Sequence, residues 1–160
     1  RADFIHNDTD LRFSVIDLHM KCCDPGLDRR KKASIMLYEY LKDEIRINSN
    51  LIVLGDWNDD LKDLEGEHCF SPFLEDEKFF FPTLDITYDI NQASYPKEPY
   101  VSFLDHIMTT STFIDLNNQN IEVETVLIED YIGGYDIYEL LLSDHRAVMF
   151  SIPFSDLPKE

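Results

Sequence analysis

The sequence predicts an α+β fold built on a mixed sheet with helices on one face. Three observations predict it. Residues 12–19, Arg-Phe-Ser-Val-Ile-Asp-Leu-His, have the composition of a strand. Residues 29–47 carry Ala33, Met36, Leu37, Tyr40, Leu41 and Ile45 at helical spacing. Leu51-Ile52-Val53-Leu54 is a short apolar run stopped by Gly55, as expected of a strand covered on both faces. A strand–helix–strand crossover pairs its two strands in parallel, and about 98% of such connections are right-handed. Both strands then end at one edge, so His19 and Asp56 are expected to emerge together.

The remaining elements follow in order. Asp24-Pro25-Gly26 is a turn signal, and Asp28 is the expected helix N-cap. Residues 59–100 are acidic, contain Pro72, Pro82, Pro96 and Pro99, and hold Phe79-Phe80-Phe81. They read as loops with one or two short elements, anchored by aromatic side chains. Strands are expected at 102–109, at 121–128 and at 146–152, the last ended by Pro153. Residues 129–142, with Gly133-Gly134, read as a surface excursion.

With 160 residues the chain is one domain or a piece of one. Its 44% hydrophobic content argues against wholesale disorder. No apolar run is long enough to span a bilayer as a helix. The formal net charge of −18 is the strongest compositional fact. Proteins that hold DNA through many phosphate contacts are basic where they bind, so tight non-specific nucleic-acid binding by this chain alone is disfavoured. Phosphate chemistry is not, because bound cations supply positive charge locally. Of the three cysteines, Cys22 and Cys23 are adjacent, and neighbours in sequence rarely bond to each other. The three read either as buried free thiols or as one disulfide from Cys22 or Cys23 to Cys69 in an oxidising compartment. Their spacing, with no nearby histidine pattern, does not suit zinc.

Five clusters carry possible chemistry. His19 closes Asp17-Leu18-His19-Met20-Lys21 at a strand end, where an imidazole can meet a phosphate oxygen or simply terminate a strand. Gly55-Asp56-Trp57-Asn58 follows a buried strand. The two-residue spacing points Asp56 and Asn58 the same way, and their oxygens suit a hard cation such as Mg²⁺. Turns use the same residue types, but a turn does not require the apolar strand and tryptophan around it. Leu104-Asp105-His106-Ile107 places an ionisable pair inside an apolar strand, as a buried ion pair or as a carboxylate that orients a catalytic histidine. Ser143-Asp144-His145-Arg146 opens the last strand. There His145 is a candidate general base and Asp144 a candidate metal ligand, against the plainer alternative of a capped turn. Arg29-Arg30-Lys31-Lys32 opposes the helix dipole at the helix start, and pairing with this acidic protein accounts for it better than phosphate binding.

Leu-His-x-Lys, Gly-Asp-x-Asn, Leu-Asp-His-Ile and Ser-Asp-His-x-x-Val, in that order from Phe13 to Ile152, resemble the DNase I-like endonuclease/exonuclease/phosphatase superfamily. The resemblance implies the C-terminal portion of a four-layer α/β/β/α sandwich. It implies a phosphodiester hydrolase dependent on Mg²⁺ (or Mn²⁺ or Ca²⁺), acting on a phosphate ester, possibly DNA or RNA. His145 would be the catalytic histidine and Asp105 its carboxylate partner. Asp56 and Asn58 would position nucleophile and phosphate beside the metal, Asp144 would join the metal shell, and His19 and Asn58 would contact the phosphate. Asp105-His106 stands where deoxyribonucleases have Asp-Arg or Asp-Tyr, which makes His106 the corresponding substrate contact. The asparagine and glutamate that the superfamily carries on earlier strands have no counterpart in the residues before Phe13, so the resemblance implies a missing N-terminal half and an inactive fragment. The Leu-His-x-Lys-Cys-Cys wording resembles bacterial members that are often exported, implying a periplasmic or extracellular location rather than a cytoplasmic one. A phosphomonoesterase, a sphingomyelinase-like phospholipase and a non-catalytic binding fragment are the alternatives.

Overall fold

A computed structural model describes residues 1–23, 25–114 and 121–153. Asp24, in the expected turn before the helix, lies outside the described residues. Strand β1 (Ala2–Ile5) turns into β2 (Arg12–His19), which crosses over through helix α1 (Gly26–Glu44) to β3 (Leu51–Asp56). A short helix α2 (Ser71–Leu74), strand β4 (Phe79–Phe80) and two 3₁₀ segments, Pro82–Tyr88 and Ile90–Gln92, lead to β5 (Asp105–Thr110). The chain continues through β6 (Glu122–Val126), α3 (Glu129–Ile132) and α4 (Tyr135–Leu141) to β7 (Ala147–Ser151).

The main sheet has five strands in the order β1-β2-β3-β5-β4. The β2–β3 pair is parallel, as the crossover required, and the others are antiparallel. Strand β7 does not join it. It pairs antiparallel with β6 in a separate two-stranded sheet.

Alternation along the strands divides two cores. Ile16, Leu18, Leu51, Val53 and Met108 face α1 and the aromatic residues of the 57–81 segment. Phe13, Ile52 and Phe80 face the other way and pack with Phe113, Ile114, Phe150 and Ile152. The second sheet therefore stacks on the face opposite α1, giving helix, sheet and sheet in layers.

Helix α1 differs from its expected form in two ways. It begins at Gly26 after Pro25 with no side-chain cap, and Asp28 sits in the first turn, where a carboxylate suits the dipole. Its buried face runs through Arg30, Ser34 and Leu41, with Leu37, Tyr38 and Ile45 packed beside them. Ala33, Met36 and Tyr40 are exposed, Met36 at 73%. The buried face also carries the Arg30–Asp59 ion pair (Nη2–Oδ1 3.1 Å), beside the packing of Leu37 and Leu41. The 59–100 region is more structured than expected: it forms α2, β4 and the 3₁₀ segments, and its Phe70, Phe73 and Phe81 pack on Trp57 while Phe79 packs on Phe73. The 129–142 excursion forms α3 and α4.

Gly55 is the most crowded of the chain's glycines. Its φ is +131°, and a Cβ there would overlap the Leu18 carbonyl of the neighbouring strand. Gly66 also has positive φ (+85°) but open space around it. Gly55→Ala should therefore cost at least about 2–3 kcal/mol in urea unfolding, the upper range for a strained backbone site, and Gly66→Ala about 1 kcal/mol. Equal costs at the two positions would show that the close approach of β2 and β3 is not the constraint.

Candidate active site

Register builds the site. His19 lies opposite Asp56 at the end of the parallel pair, and Asp56 lies opposite Asp105 in the antiparallel pair. Three strands thus contribute one residue each to a single row. By alternation all three share the face turned toward the second sheet. Adjacent strands are about 4.8 Å apart, which brings the side chains within reach of one another. His19 Nε2 is 3.3 Å from Asp56 Oδ2.

The turn after β3 orients Asp56. Asn58 adopts a left-handed conformation (φ 52°), one of the few non-glycine types that tolerate it well. Its backbone N–H donates to Asp56 Oδ1 (2.8 Å) and its side-chain amide to Asp56 Oδ2 (2.8 Å). The same amide donates to the Met20 carbonyl (3.0 Å), tying the turn to the end of β2. Trp57 is fully buried between Asp56 and Asn58. Its indole donates to the His106 carbonyl (3.2 Å) and its N–H to the Leu104 carbonyl (2.9 Å). An anchored tryptophan leaves the flanking carboxylate and amide little freedom.

His145 arrives from the other sheet, just before β7. Its Nδ1 stands 2.7 Å from Asp105 Oδ2. Ser143 Oγ accepts its backbone N–H (3.0 Å), Tyr138 donates to its carbonyl (2.8 Å), and the Tyr95 ring lies 5.2 Å from the imidazole. Ser94 joins the two sides. Its buried hydroxyl accepts the N–H groups of Leu104 (2.9 Å) and Asp105 (3.1 Å), and its carbonyl accepts that of Arg146 (2.7 Å). Arg146 in turn donates to Glu129 (2.6 Å).

Among the described residues, Asp56, Asp105 and His145 form a group whose potential ligand atoms all lie within 4.8 Å of one another. Burial pushes the Asp56 carboxyl above its ordinary value. The Asn58 N–H works against this, and the neighbouring Asp105 charge adds to it. The hydrogen bond to Asp105 raises the His145 pKa above 6.5, and partial burial opposes it.

His19, Asp56, Asn58, Asp105, Asp144 and His145 all line one cavity of about 1130 Å³. Asp144 is exposed on its wall and is not in the three-residue group. His106 requires correction as a substrate contact. It is fully buried, with Nε2 3.0 Å from the Asp59 carbonyl and Nδ1 3.2 Å from Thr83 Oγ1. It pairs with Gly55 in register, so it points to the α1 side, beside Phe70, Phe81 and Phe103. Burial pushes its pKa down to about 4, and it is a neutral core residue at pH 7. Sequence reasoning missed Ser94, Tyr95 and Tyr138. They carry no motif, and Ser94 lies in a segment that reads as loop.

In an NMR titration of the chain, His145 should titrate above 6.5 and His106 should stay neutral down to about 4. Asp105→Asn should lower the His145 pKa, because its largest upward influence is lost while burial still pulls it down and Asp56 and Asp144 push it up only weakly. Ser94→Ala should shift it in the same direction by loosening Asp105. An unchanged His145 titration in Asp105→Asn would dissolve the pair.

No protein-family model and no curated protein sequence matches the chain. Solved structures do. The human Nocturnin catalytic domain, a structure with bound sulfate, superposes with a TM-score of 0.58 at 17% identity over 93% of this chain. The Bacteroides thetaiotaomicron mannosyl-6-phosphatase Bt3783 gives 0.59 at 19% identity over 95%. An endonuclease/exonuclease/phosphatase family protein from the same organism gives 0.54 at 18% identity over 78%. The chain spans about half the length of these structures: 51%, 55% and 43% respectively. At such identities the likeness establishes the fold. With its mixed five-stranded sheet, α1 on one face and a second sheet on the other, the chain carries part of a DNase I-like fold.

Proposed function

We propose that this chain forms one wall of the active site of a phosphoester hydrolase that uses Mg²⁺ or Mn²⁺ and cleaves phosphodiesters in the manner of a nuclease. The observation that carries the reading is the row His19–Asp56–Asp105 with His145 held against Asp105. The donor set fits a hard divalent cation. Two carboxylates face one another across an antiparallel pair, and one of them is already pushed toward protonation by burial, so a cation beside them relieves both terms. Asp56, with the Asn58 side-chain oxygen and Asp144 nearby, would hold it, together with a glutamate from an N-terminal half of the fold. Bound there, the cation supplies positive charge against the phosphate and leaving-group oxygens.

The chain's own residues account for the remaining steps. With Nδ1 engaged by Asp105, His145 has Nε2 as the nitrogen that takes a proton from the attacking water. Asp105 holds the tautomer and stabilises the imidazolium that results. Because Asp105 raises the His145 pKa, the base form gains population only as pH climbs past 6.5, and activity should rise across that range. Asp56, fixed by both Asn58 donors, orients the water. His19, exposed at the rim, reaches a phosphate oxygen.

A phosphomonoesterase acting on a small phosphorylated substrate is the second reading. The net charge of −18 favours it, since it works against a long polyanion, and one of the matching structures is described as a mannosyl-6-phosphatase.

The assay compares bis-p-nitrophenyl phosphate and plasmid DNA with p-nitrophenyl phosphate, inositol phosphates and sugar phosphates. It uses this chain alone and the chain preceded by the N-terminal half of the fold. The longer form should be active with Mg²⁺ or Mn²⁺ and silent in EDTA, and the chain alone nearly inactive. His145→Ala should lower turnover at least about a hundredfold, the low end for a lost acid–base group. Glu39→Ala, exposed on α1, should cost little. Full activity in EDTA or in His145→Ala would overturn the mechanism, and preference for the monoesters would select the second reading.

A further inference from the structure

The same cavity has a second chemical feature that the proposed hydrolysis does not use. Cys22 and Cys23 both line it, on the turn that leaves β2 three residues after His19. Their sulfurs are 2.6 Å apart. Neighbouring side chains usually diverge, and here the backbone is bent to bring them together. Cys23 has φ 64°, a left-handed conformation uncommon outside glycine, asparagine and aspartate. Cys23 is exposed and Cys22 partly so. The preceding backbone is pinned on both sides, since the Met20 carbonyl accepts from Asn58 and the Lys21 carbonyl from Arg30 (3.0 Å each). Cys69 is the contrasting case. It is 1% exposed, and burial pushes its thiol up to about 12.

We propose that Cys22 and Cys23 are a reversible modification site: a dithiol at the cavity rim that a low-molecular-weight disulfide closes to a Cys22–Cys23 disulfide. One thiolate attacks the reagent disulfide, forming a mixed disulfide and expelling one thiol. The second cysteine then displaces the remaining reagent half, forming the Cys22–Cys23 bond and releasing the other thiol. The two cysteines lose two electrons and two protons in all, and the reagent gains both. Adjacent Cα atoms lie about 3.8 Å apart across a trans peptide, closer than the roughly 4.4–6.8 Å that disulfides span at ease. The closed form is therefore strained and easily reduced, which makes the modification reversible. Exposure and proximity select this pair, and burial excludes Cys69.

The test equilibrates the folded chain in glutathione buffers from fully reduced to fully oxidised, traps free thiols with iodoacetamide, and digests with trypsin. Cleavage after Lys21 and Arg29 isolates Cys22 and Cys23 together, without Cys69. At the reduced end that peptide should carry two alkyl groups. At the oxidised end it should carry none, at about 2 Da below its dithiol mass, and should recover both groups on reduction. Cys22→Ser and Cys23→Ser, both at solvent-accessible positions, should each stop at a glutathione adduct on the remaining cysteine. As an independent measurement, phenylarsine oxide, which bridges paired thiols, should bind the reduced chain once and either variant not at all. Linkage to Cys69, dimers joined by disulfides, or two alkylated thiols at the oxidised end would overturn the proposal.

Discussion

Two carboxylates that face each other across neighbouring strands set the terms for the rest of this structure. Asp56 and Asp105 are register partners, and like charges directly opposite in a sheet are destabilising. With potential ligand oxygens within 4.8 Å of each other and partly desolvated, the two carboxylates repel several times more than they would in water. The fold offsets it by giving each carboxylate its own partners. Asp105 has His145; Asp56 has two Asn58 donors and His19 at the rim. A site that gathers negative charge and surrounds it with donors is suited to a cation and a phosphate. The backbone holds this arrangement in place.

That rigidity comes from the opposite face of the same strands. Trp57 separates Asp56 from Asn58 in sequence and points into the aromatic core, so the turn that bears the site is nailed to Phe70, Phe73 and Phe81. His106 follows Asp105 and packs into the core beside Phe70, Phe81 and Phe103. Arg30 joins α1 to Asp59 just beyond the turn, a buried pair whose rupture would strand a charge at a cost of about 3–5 kcal/mol. Each residue that faces the cavity is thus adjacent in sequence to one that anchors it. The period-two alternation of the strand converts that adjacency into two faces with separate roles.

The cavity closes only because two sheets meet. Asp105 lies on the five-stranded sheet, while His145 precedes a strand of the other. Ser94 couples them, holding the start of β5 through its hydroxyl and the approach to β7 through its carbonyl. The matching structures share this layered arrangement at 17–19% identity, which is reasonable for a fold whose demands fall on patterning, a few glycines and a handful of polar contacts.

By itself the sequence determined the parallel crossover from β2 to β3, because a helical period between two apolar runs admits little else. It also determined that His19 and Asp56 share an edge, and it marked Asp56, Asn58, Asp105 and His145 through short motifs of distinctive composition. It did not determine which stripe of α1 is buried, since two neighbouring stripes carry apolar residues and the choice is settled by long-range packing against the sheet and by the Arg30–Asp59 contact. Nor did it separate Asp105 from His106, because a one-residue choice of face depends on register, and register depends on a partner strand about fifty residues away. The second sheet and the role of Ser94 were likewise decided in three dimensions. Backbone hydrogen bonds between distant segments leave no local trace in composition or periodicity, and those bonds bring His145 to Asp105.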